Sequence, residues 1–416
     1  MNQPAKGESD PRAWLALIAL AYLALVLIGI GIPGHPYFDE THYVPAARHL
    51  LELTPANREH PLFAKEILAA SIALLGDHPL AWRLPSALAG TLGLFAFGRL
   101  VWHLGKRRAA SLFAMLLLAG NFMWFVQSRI AMLDIFAASL ALVGLWQFAA
   151  ALSSPRQRLR LAGAGVAMGL AMASKWNAVP LAVLPGLAFL VLKMRRDDRV
   201  AQITLAEAFV WLGVLPLSLY WLTFTPAFFY SGDADPAHPL GFVALHQRMI
   251  ALQDSVTTFH TYQSRWWQWT LDLRPIWYLY EPTDGAQRGV LLLGNPLTML
   301  MGLPALAWCL WASVMRGRSD ALAMTVCYVS TLGLWLVSGK PVQFYYHYLL
   351  PGVFLMGALA LALDAAWRKA GLLRAASLTM LAGSLAMFAW FWPILSAAPL
   401  ADKTAFERWM WLDSWR

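Results

Sequence analysis

The chain has 416 residues, of which 59% are hydrophobic and only 13% charged, with 21 tryptophans and a formal net charge of +9. That composition excludes a disordered chain, a disulfide-stapled secreted module and an ordinary soluble enzyme, and it fits an integral membrane protein. The positive balance does not point to nucleic acid, because the basic residues fall in short runs between apolar segments, where membrane topology and anionic headgroups account for them.

Apolar runs near the ~20 residues needed to cross a bilayer recur along the whole chain. They place about eleven spans, at 13–33, 80–104, 109–126, 131–152, 159–174, 177–193, 204–224, 290–314, 321–338, 347–367 and 374–395. The expected fold class is therefore an all-α polytopic membrane protein, one domain over 1–416. The first span is too long for a removable signal and lacks a small-residue cleavage site. Lys6 and Arg12, Lys106 to Arg108, Arg156, Arg158 and Arg160, Lys193, Arg195, Arg196 and Arg199, Arg316 and Arg318, and Arg368, Lys369 and Arg374 occupy alternate turns. They make up more than half of the 32 Lys and Arg, and the positive-inside rule assigns that side, with the N-terminus, to the cytoplasm. Most of the 23 acids lie on the opposite side. Cys309 and Cys327 both fall inside spans, so no disulfide is available to the outer loops.

Two outer segments are long. The first, 34–79, is punctuated by Pro36 and Pro55 and has amphipathic stretches at 43–53 and 61–75. The second, 225–289, holds His238, His246, His260 and Trp266-Trp267-Gln268-Trp269, a density of aromatic residues suited to helices lying in the membrane interface. A tail at 396–416 carries Trp409, Trp411 and Trp415 and is expected along the same interface.

The most informative residues open the first outer loop, in Tyr37-Phe38-Asp39-Glu40-Thr41-His42-Tyr43. Adjacent carboxylates with a histidine beside a bilayer are costly and mark a functional site. Cations from separate loops reach the same face. They are Lys65 in Glu59-His60-Pro61-Leu62-Phe63-Ala64-Lys65, Arg83 at the outer end of the second span, Arg129 near Asp134, Lys175 before Trp176, Arg274, and Lys340 near His347. Taken singly, an arginine at a span end snorkels to headgroups, a turn lysine anchors the interface, and Arg129 with Asp134 forms a local ion pair. Their coincidence on one face is what an anionic, lipid-linked substrate requires. A polyprenyl-phosphate sugar places growing negative charge on its phosphate as the sugar–oxygen bond breaks, and cations stabilise that leaving group. A carboxylate on the other side of the sugar takes the proton of the attacking hydroxyl. Asp39 is expected to be that base, with Glu40 orienting the acceptor or the sugar, and a single displacement would invert the anomeric centre. Asp39, Glu40, His42 and Asp134 are also possible metal ligands, but adjacent Asp-Glu side chains diverge and these loops have no Asp-x-Asp pair, so no cofactor or divalent metal is expected to be required.

These motifs resemble those of the protein O-mannosyltransferases. The resemblance rests on Phe38-Asp39-Glu40-Thr41-His42-Tyr43, His60-Pro61-Leu62-Phe63-Ala64-Lys65, Ser128-Arg129-Ile130-Ala131-Met132-Leu133-Asp134 and Ser174-Lys175-Trp176. It continues through Leu273-Arg274-Pro275-Ile276-Trp277-Tyr278 and Phe344-Tyr345-Tyr346-His347-Tyr348-Leu349-Leu350-Pro351, in order over roughly 30–395. It implies an eleven-span fold of the C-type glycosyltransferase class, a polyprenyl-phosphate-mannose donor, and Ser or Thr acceptors on proteins being exported, handed over by translocation machinery. By the same resemblance Asp39 is the base, Glu40 contacts the acceptor, and Lys65, Arg83, Arg129 and Lys175 lie around the donor phosphate. His42, His60, Asp134, Trp176, Arg274 and His347 complete the expected binding set. Two departures stand out: the second loop has only about 65 residues where eukaryotic members insert a large soluble domain, and His60-Pro61-Leu62 replaces the usual His-Pro-Pro. The chain is thus expected to be a bacterial member in the inner membrane, with its active site facing the periplasm.

Two other readings compete. A lipid-directed relative, such as a transferase of aminoarabinose to lipid A, would share the first-loop motif and differ in its acceptor. A flippase for lipid-linked sugars would instead place charges near the midplane on broken helices, whereas here they gather at one face.

Overall fold

The computed structural model describes residues 8–230 and 241–416; Lys6 and His238 lie outside them. The first half comprises α1 (Arg12–Leu27), α2 (Glu40–Leu51), α3 (Phe63–Leu75), α4 (Pro79–Gly105), α5 (Arg108–Ala119), α6 (Phe122–Gln127), α7 (Leu133–Ala151), α8 (Gln157–Ser174) and α9 (Val179–Met194). Next comes one long helical stretch made of α10 (Leu205–Phe209), a π turn at Val210–Val214 and α11 (Leu215–Leu222). The second half holds α12 (Phe242–Asp254), α13 (Trp266–Thr270), the strands β1 (Ile276–Thr283) and β2 (Ala286–Leu292), then α14 (Pro296–Arg316), α15 (Ser319–Val337), α16 (Leu349–Trp367) and α17 (Leu372–Leu395).

Each expected span contains a helix, but the length is uneven. Among the described residues eight helices are long and apolar enough to cross a membrane; α1 and α5 are shorter apolar helices. The protein is a multi-pass membrane protein, and the count of eleven does not follow from helix length alone. The segment expected at 109–126 is divided into α5 and α6 at Gly120-Asn121, where Asn121 caps the new helix by accepting from Trp124 N at 3.0 Å. The start expected at 290 is also displaced. Asn295 caps α14 and Pro296 takes its first position, so residues up to Leu292 are free to form a strand.

Helices α7 and α16 are apolar all round except for a few polar groups such as Asp134 and Asp364 near their ends, and are buried over most of their length, so they form the centre of the bundle. Close packing around them relies on glycine. A Cβ on Gly165 of α8 would meet the backbone oxygen of Trp211 at 2.0 Å, and one on Gly169 would meet that of Pro216 at 2.6 Å. The small-xxx-small stripe therefore seats α8 directly on the π turn and α11, the usual geometry where lipid supplies no hydrophobic drive between helices.

At one end of the bundle the ion pairs Asp10–Arg99, Asp364–Arg107, Asp364–Arg368 and Glu8–Arg368 gather the basic loops. At the other end lie α2, α3, α12, α13, the hairpin and the tail. The hairpin is a small addition to the expected helical architecture. Its two-residue loop, Asp284-Gly285, has positive φ at both positions (46° and 75°), which matches the right-handed strand twist and closes Thr283 on Ala286. The tail folds back onto this end: Trp415 Nε1 donates to Asp272 O at 2.7 Å, and Trp409 Nε1 to Trp390 O at 2.8 Å.

Gly165→Val is expected to lower the thermal stability of the detergent-solubilised protein by about 1–3 kcal/mol, since a backbone oxygen cannot yield to an added side chain. Gly186→Val, at a position with open space around it, is expected to melt as the wild type does.

Candidate active site

Asp39 stands at the turn that starts α2. Its backbone oxygen accepts from His42 N and Tyr43 N, both at 3.0 Å, so the helix begins at Glu40. The preceding Phe38 has φ 49°, an uncommon conformation for a bulky residue. It is held there by its ring, which stacks on Tyr278 with centroids 3.9 Å apart, and by Thr41 Oγ1 donating to Phe38 O at 2.6 Å. Tyr278 is the residue left unpaired by the bulge in β1, between Trp277 paired to Leu291 and Leu279 paired to Val290. A bulge re-aims one side chain out of the ladder, and here that side chain supports the residue before Asp39. Tyr278 is steadied in turn by Gln127 Nε2, which donates to its hydroxyl at 2.8 Å.

The two adjacent carboxylates meet different fates. Glu40 is fully buried and forms a two-pronged pair with Arg83, Nε to Oε1 and Nη2 to Oε2, both at 2.8 Å. Ala131 N donates to Oε1 at 2.9 Å and Tyr37 N to Oε2 at 3.3 Å. Arg83 directs its remaining N–H groups to the carbonyls of Ile30, Pro33 and His35. Neither group keeps a free hydrogen-bonding position, so the expected roles of Glu40 on the acceptor and of Arg83 on a donor phosphate have no geometric support. Asp39 is half-buried, and its carboxylate takes no side-chain hydrogen bond from any described residue. Burial pushes it up to about 6; Lys175, His42 and Lys340 pull it down while Asp134 adds to the rise. His42 is exposed beside it.

Two more expected phosphate ligands are engaged elsewhere. Arg129 donates to the carbonyls of Val26, Ile28 (2.7 Å) and Ser396 (3.3 Å), tying the end of α1 to the tail. Lys65, 1% exposed, donates to Asn57 O at 2.7 Å and His60 O at 2.9 Å and closes that loop. The physical reason is common to both. A cation buried away from water must find oxygen acceptors, and the carbonyls of irregular segments supply them.

Asp134 is not paired with Arg129. It is fully buried and accepts from Lys175 Nζ at 2.6 Å and from Asn177 Nδ2 at 3.4 Å. Lys175 also lies over the Tyr346 ring, 5.0 Å from its centroid, and Tyr346 packs edge-on against Phe38. Trp176 Nε1 donates to Tyr220 OH at 2.8 Å, and the indole stacks on His246.

Next to this cluster is a cavity of about 210 Å³, lined by His60, Lys175, Trp176, Asn177, Lys340 and His347 with Ile250, Gln253, Asp254, Leu334, Trp335 and Ser338. Burial lowers the His60 imidazole well below its usual value, so it is neutral. Burial, then Lys175, lowers Lys340 to about 8, so it remains mostly protonated near pH 7. Lys340 and Trp335 also wall a second, more polar cavity of about 520 Å³, which contains Gln263, Arg265, Arg274 and Gln343. Arg274 itself donates to Thr261 O at 2.7 Å and Ser414 O at 3.2 Å. The structure thus brings Asp39, His42, His60, Asp134, Lys175, Trp176 and His347 to one region with Lys340, one of the cations expected on this face, and adds Asn177, Tyr278 and Tyr346, which the sequence did not single out. Tyr278 and Tyr346 lie inside motifs that carry the resemblance and Asn177 directly follows one, but the role of Tyr278 needed the bulge.

Two family models match this chain. Residues 59–221 match a dolichyl-phosphate-mannose-protein mannosyltransferase model, and 240–415 match the C-terminal four-transmembrane region of protein O-mannosyltransferase. The chain belongs to the protein O-mannosyltransferase family. It is 25% identical to the polyprenol-phosphate-mannose–protein mannosyltransferases of Mycolicibacterium smegmatis (97% of this chain, 93% of that protein) and Mycobacterium tuberculosis (97% and 92%). It is 26% identical to that of Corynebacterium glutamicum (98% and 94%). Two solved structures share the fold: the S. cerevisiae Pmt1–Pmt2 complex bound to the sugar donor (TM-score 0.81, 15% identity, 98% of this chain and 93% of that one) and ArnT from Cupriavidus metallidurans bound to undecaprenyl phosphate (TM-score 0.61, 16% identity, 96% and 78%). The O-mannosyltransferase fold is thus the C-type glycosyltransferase architecture expected above.

Glu40→Gln is expected to destabilise the protein by about 3–5 kcal/mol, because it leaves the Arg83 charge buried without its partner. Asp39→Asn, one residue away, is expected to melt as the wild type does; thermal unfolding in detergent compares the two.

Proposed function

We propose that the protein is an inverting glycosyltransferase that moves mannose from a polyprenyl-phosphate donor to Ser or Thr hydroxyls of exported proteins. The reaction is assigned to the outer face of a bacterial inner membrane, with the N-terminus in the cytoplasm, membrane lipids around the helices, and acceptors supplied by the translocation machinery. The family membership and the names of the relatives support the donor and acceptor classes.

The observation that carries the mechanism is the separation of Asp39 from Glu40. Of the two carboxylates, only Asp39 is left with free oxygens, next to a cavity containing two lysines. In this reading Asp39 takes the proton of the acceptor hydroxyl as it attacks the anomeric carbon. The phosphate leaves toward Lys175 and Lys340, whose charge gains strength in a partly dry site. Asp134 holds the Lys175 ammonium in place, and Glu40 with Arg83 fixes the loop on which Asp39 rides. Catalysis is proposed to need no metal. Of the four candidate ligands, Glu40 and Asp134 are both committed to cations, which leaves Asp39 and His42.

In membranes supplied with radiolabelled polyprenyl-phosphate-mannose, Asp39→Asn is expected to reduce transfer by about 10²–10⁴-fold, the range for loss of a general base. The label is expected in protease-sensitive material; Asp39-dependent label in extractable lipid would assign the chain to a lipid acceptor instead. Only ionised Asp39 can accept a proton, so kcat/KM is expected to fall as pH drops through about 6, and to fall again above about 8 as Lys340 loses its charge. A rate independent of pH between 5 and 7 would remove Asp39 from that role. Lys175→Ala is expected to weaken donor use, read as a rise in KM for the donor.

A further inference from the structure

Two residues that line the smaller cavity each carry a buried polar atom with no hydrogen-bond partner among the described residues: His347 Nε2 and Asn177 Oδ1. A buried polar group left in this state costs stability and calls for an explanation. Both are set by their neighbours. Phe344 N donates to His347 Nδ1 at 3.0 Å, so Nδ1 holds the lone pair and the proton resides on Nε2. His347 is 1% exposed and its ring is clamped flat on Trp335, with centroids 3.8 Å apart, so the tautomer and the direction of the N–H are both fixed. Asn177 Nδ2 faces the Asp134 carboxylate, which cannot accept from an oxygen, so Oδ1 is the atom left over.

The cavity therefore offers one unpaired N–H donor, the ammonium of Lys175 with hydrogens beyond the one bonded to Asp134, the ammonium of Lys340 with no partner among the described residues, and one unpaired acceptor. Its one carboxylate, Asp254, is exposed. Donors and two positive charges suit an anion, and a single acceptor beside them suits a hydroxyl. A phosphate carrying a sugar has both.

We propose that His347 Nε2–H and the Lys340 ammonium bind the phosphate of a polyprenyl-phosphate sugar, and that Asn177 Oδ1 accepts from a hydroxyl of the sugar. This rests on the donor class proposed above and moves the phosphate from Lys65, Arg83 and Arg129, which the protein engages, to a neutral histidine and a lysine that it does not. A neutral donor fits the leaving phosphate well: it stabilises the oxyanion without becoming an acid that could protonate Asp39.

The test is direct binding of sugar-free polyprenyl phosphate to the purified full chain in nanodiscs, alongside the same measurement with the mannosylated lipid. Gln places an N–H close to where His Nε2 lies, whereas Asn mimics Nδ1. His347→Gln is expected to bind sugar-free polyprenyl phosphate within about threefold of wild type, while His347→Asn and Lys340→Gln weaken it by about tenfold to a hundredfold, the loss of a hydrogen bond to a charged group. A merely structural role, holding Phe344 through Nδ1, predicts the reverse order, with Asn tolerated and Gln not, and that order would overturn the proposal. Asn177→Ala is expected to weaken the mannosylated lipid about tenfold and leave the sugar-free one within threefold; equal losses for both would refute the hydroxyl assignment. If wild type binds the phosphate lipid and all of these variants bind it equally well, this site falls while the donor class stands. If wild type binds neither lipid, both fall.

Discussion

The end of the bundle that carries the candidate site is organised around the ion pair of Glu40 with Arg83. A charge sealed from water is tolerated only with a partner and a full complement of hydrogen bonds, and this pair obtains them from five backbone groups on two stretches of the chain. Carbonyls of Ile30, Pro33 and His35 accept from Arg83, and the amides of Tyr37 and Ala131 donate to Glu40. The end of the first span, the start of α2, α4 and the turn into α7 are thereby held in one relation. Asp39, adjacent in sequence, inherits its position from this junction without being consumed by it, and that is why one of the two neighbouring carboxylates has no side-chain partner among the described residues.

A second layer of support comes from structure that no transmembrane helix provides. Gly34 N donates to Asp284 Oδ2 at 3.0 Å and His35 Nε2 is 2.8 Å from Glu281 Oε1, so the hairpin grips the loop just before Asp39. Its bulged Tyr278 supports Phe38, and the tail supports the hairpin, with Gln287 O accepting from Leu400 N at 2.8 Å. Irregular backbone at the membrane surface must satisfy its polar groups within the protein or in water. Here the second loop and the tail do so against each other and against the first loop, which turns three distant segments into one platform.

Much of this was legible in the chain. Runs of apolar residues marked a helix at each expected span, alternating basic turns separated the two ends, and the stretch from Tyr37 to Tyr43 carried the two carboxylates around which the candidate site is built. Asp284-Gly285, flanked by Leu279, Tyr280, Val290 and Leu291, is also a local hairpin signal, but its strand pattern merges with the apolar run that begins the next span. The division of 109–126 was visible at Gly120-Asn121 for the same kind of local reason, a helix stop followed by a cap.

What the sequence determined by itself was therefore local and compositional: membrane residence, the helices, the face on which charges collect and the types of group available there. Which cation serves which oxygen was decided only by the tertiary structure. Lys65, Arg83, Arg129 and Lys175 look equivalent as single letters at the ends of apolar segments, yet three are taken up by protein oxygens away from the cavity, while Lys175, paired with Asp134, also lines it. Their partners lie between 5 and 267 residues away along the chain, and the deciding quantity, the access of each charge to water or to a buried acceptor, exists only once the helices have packed.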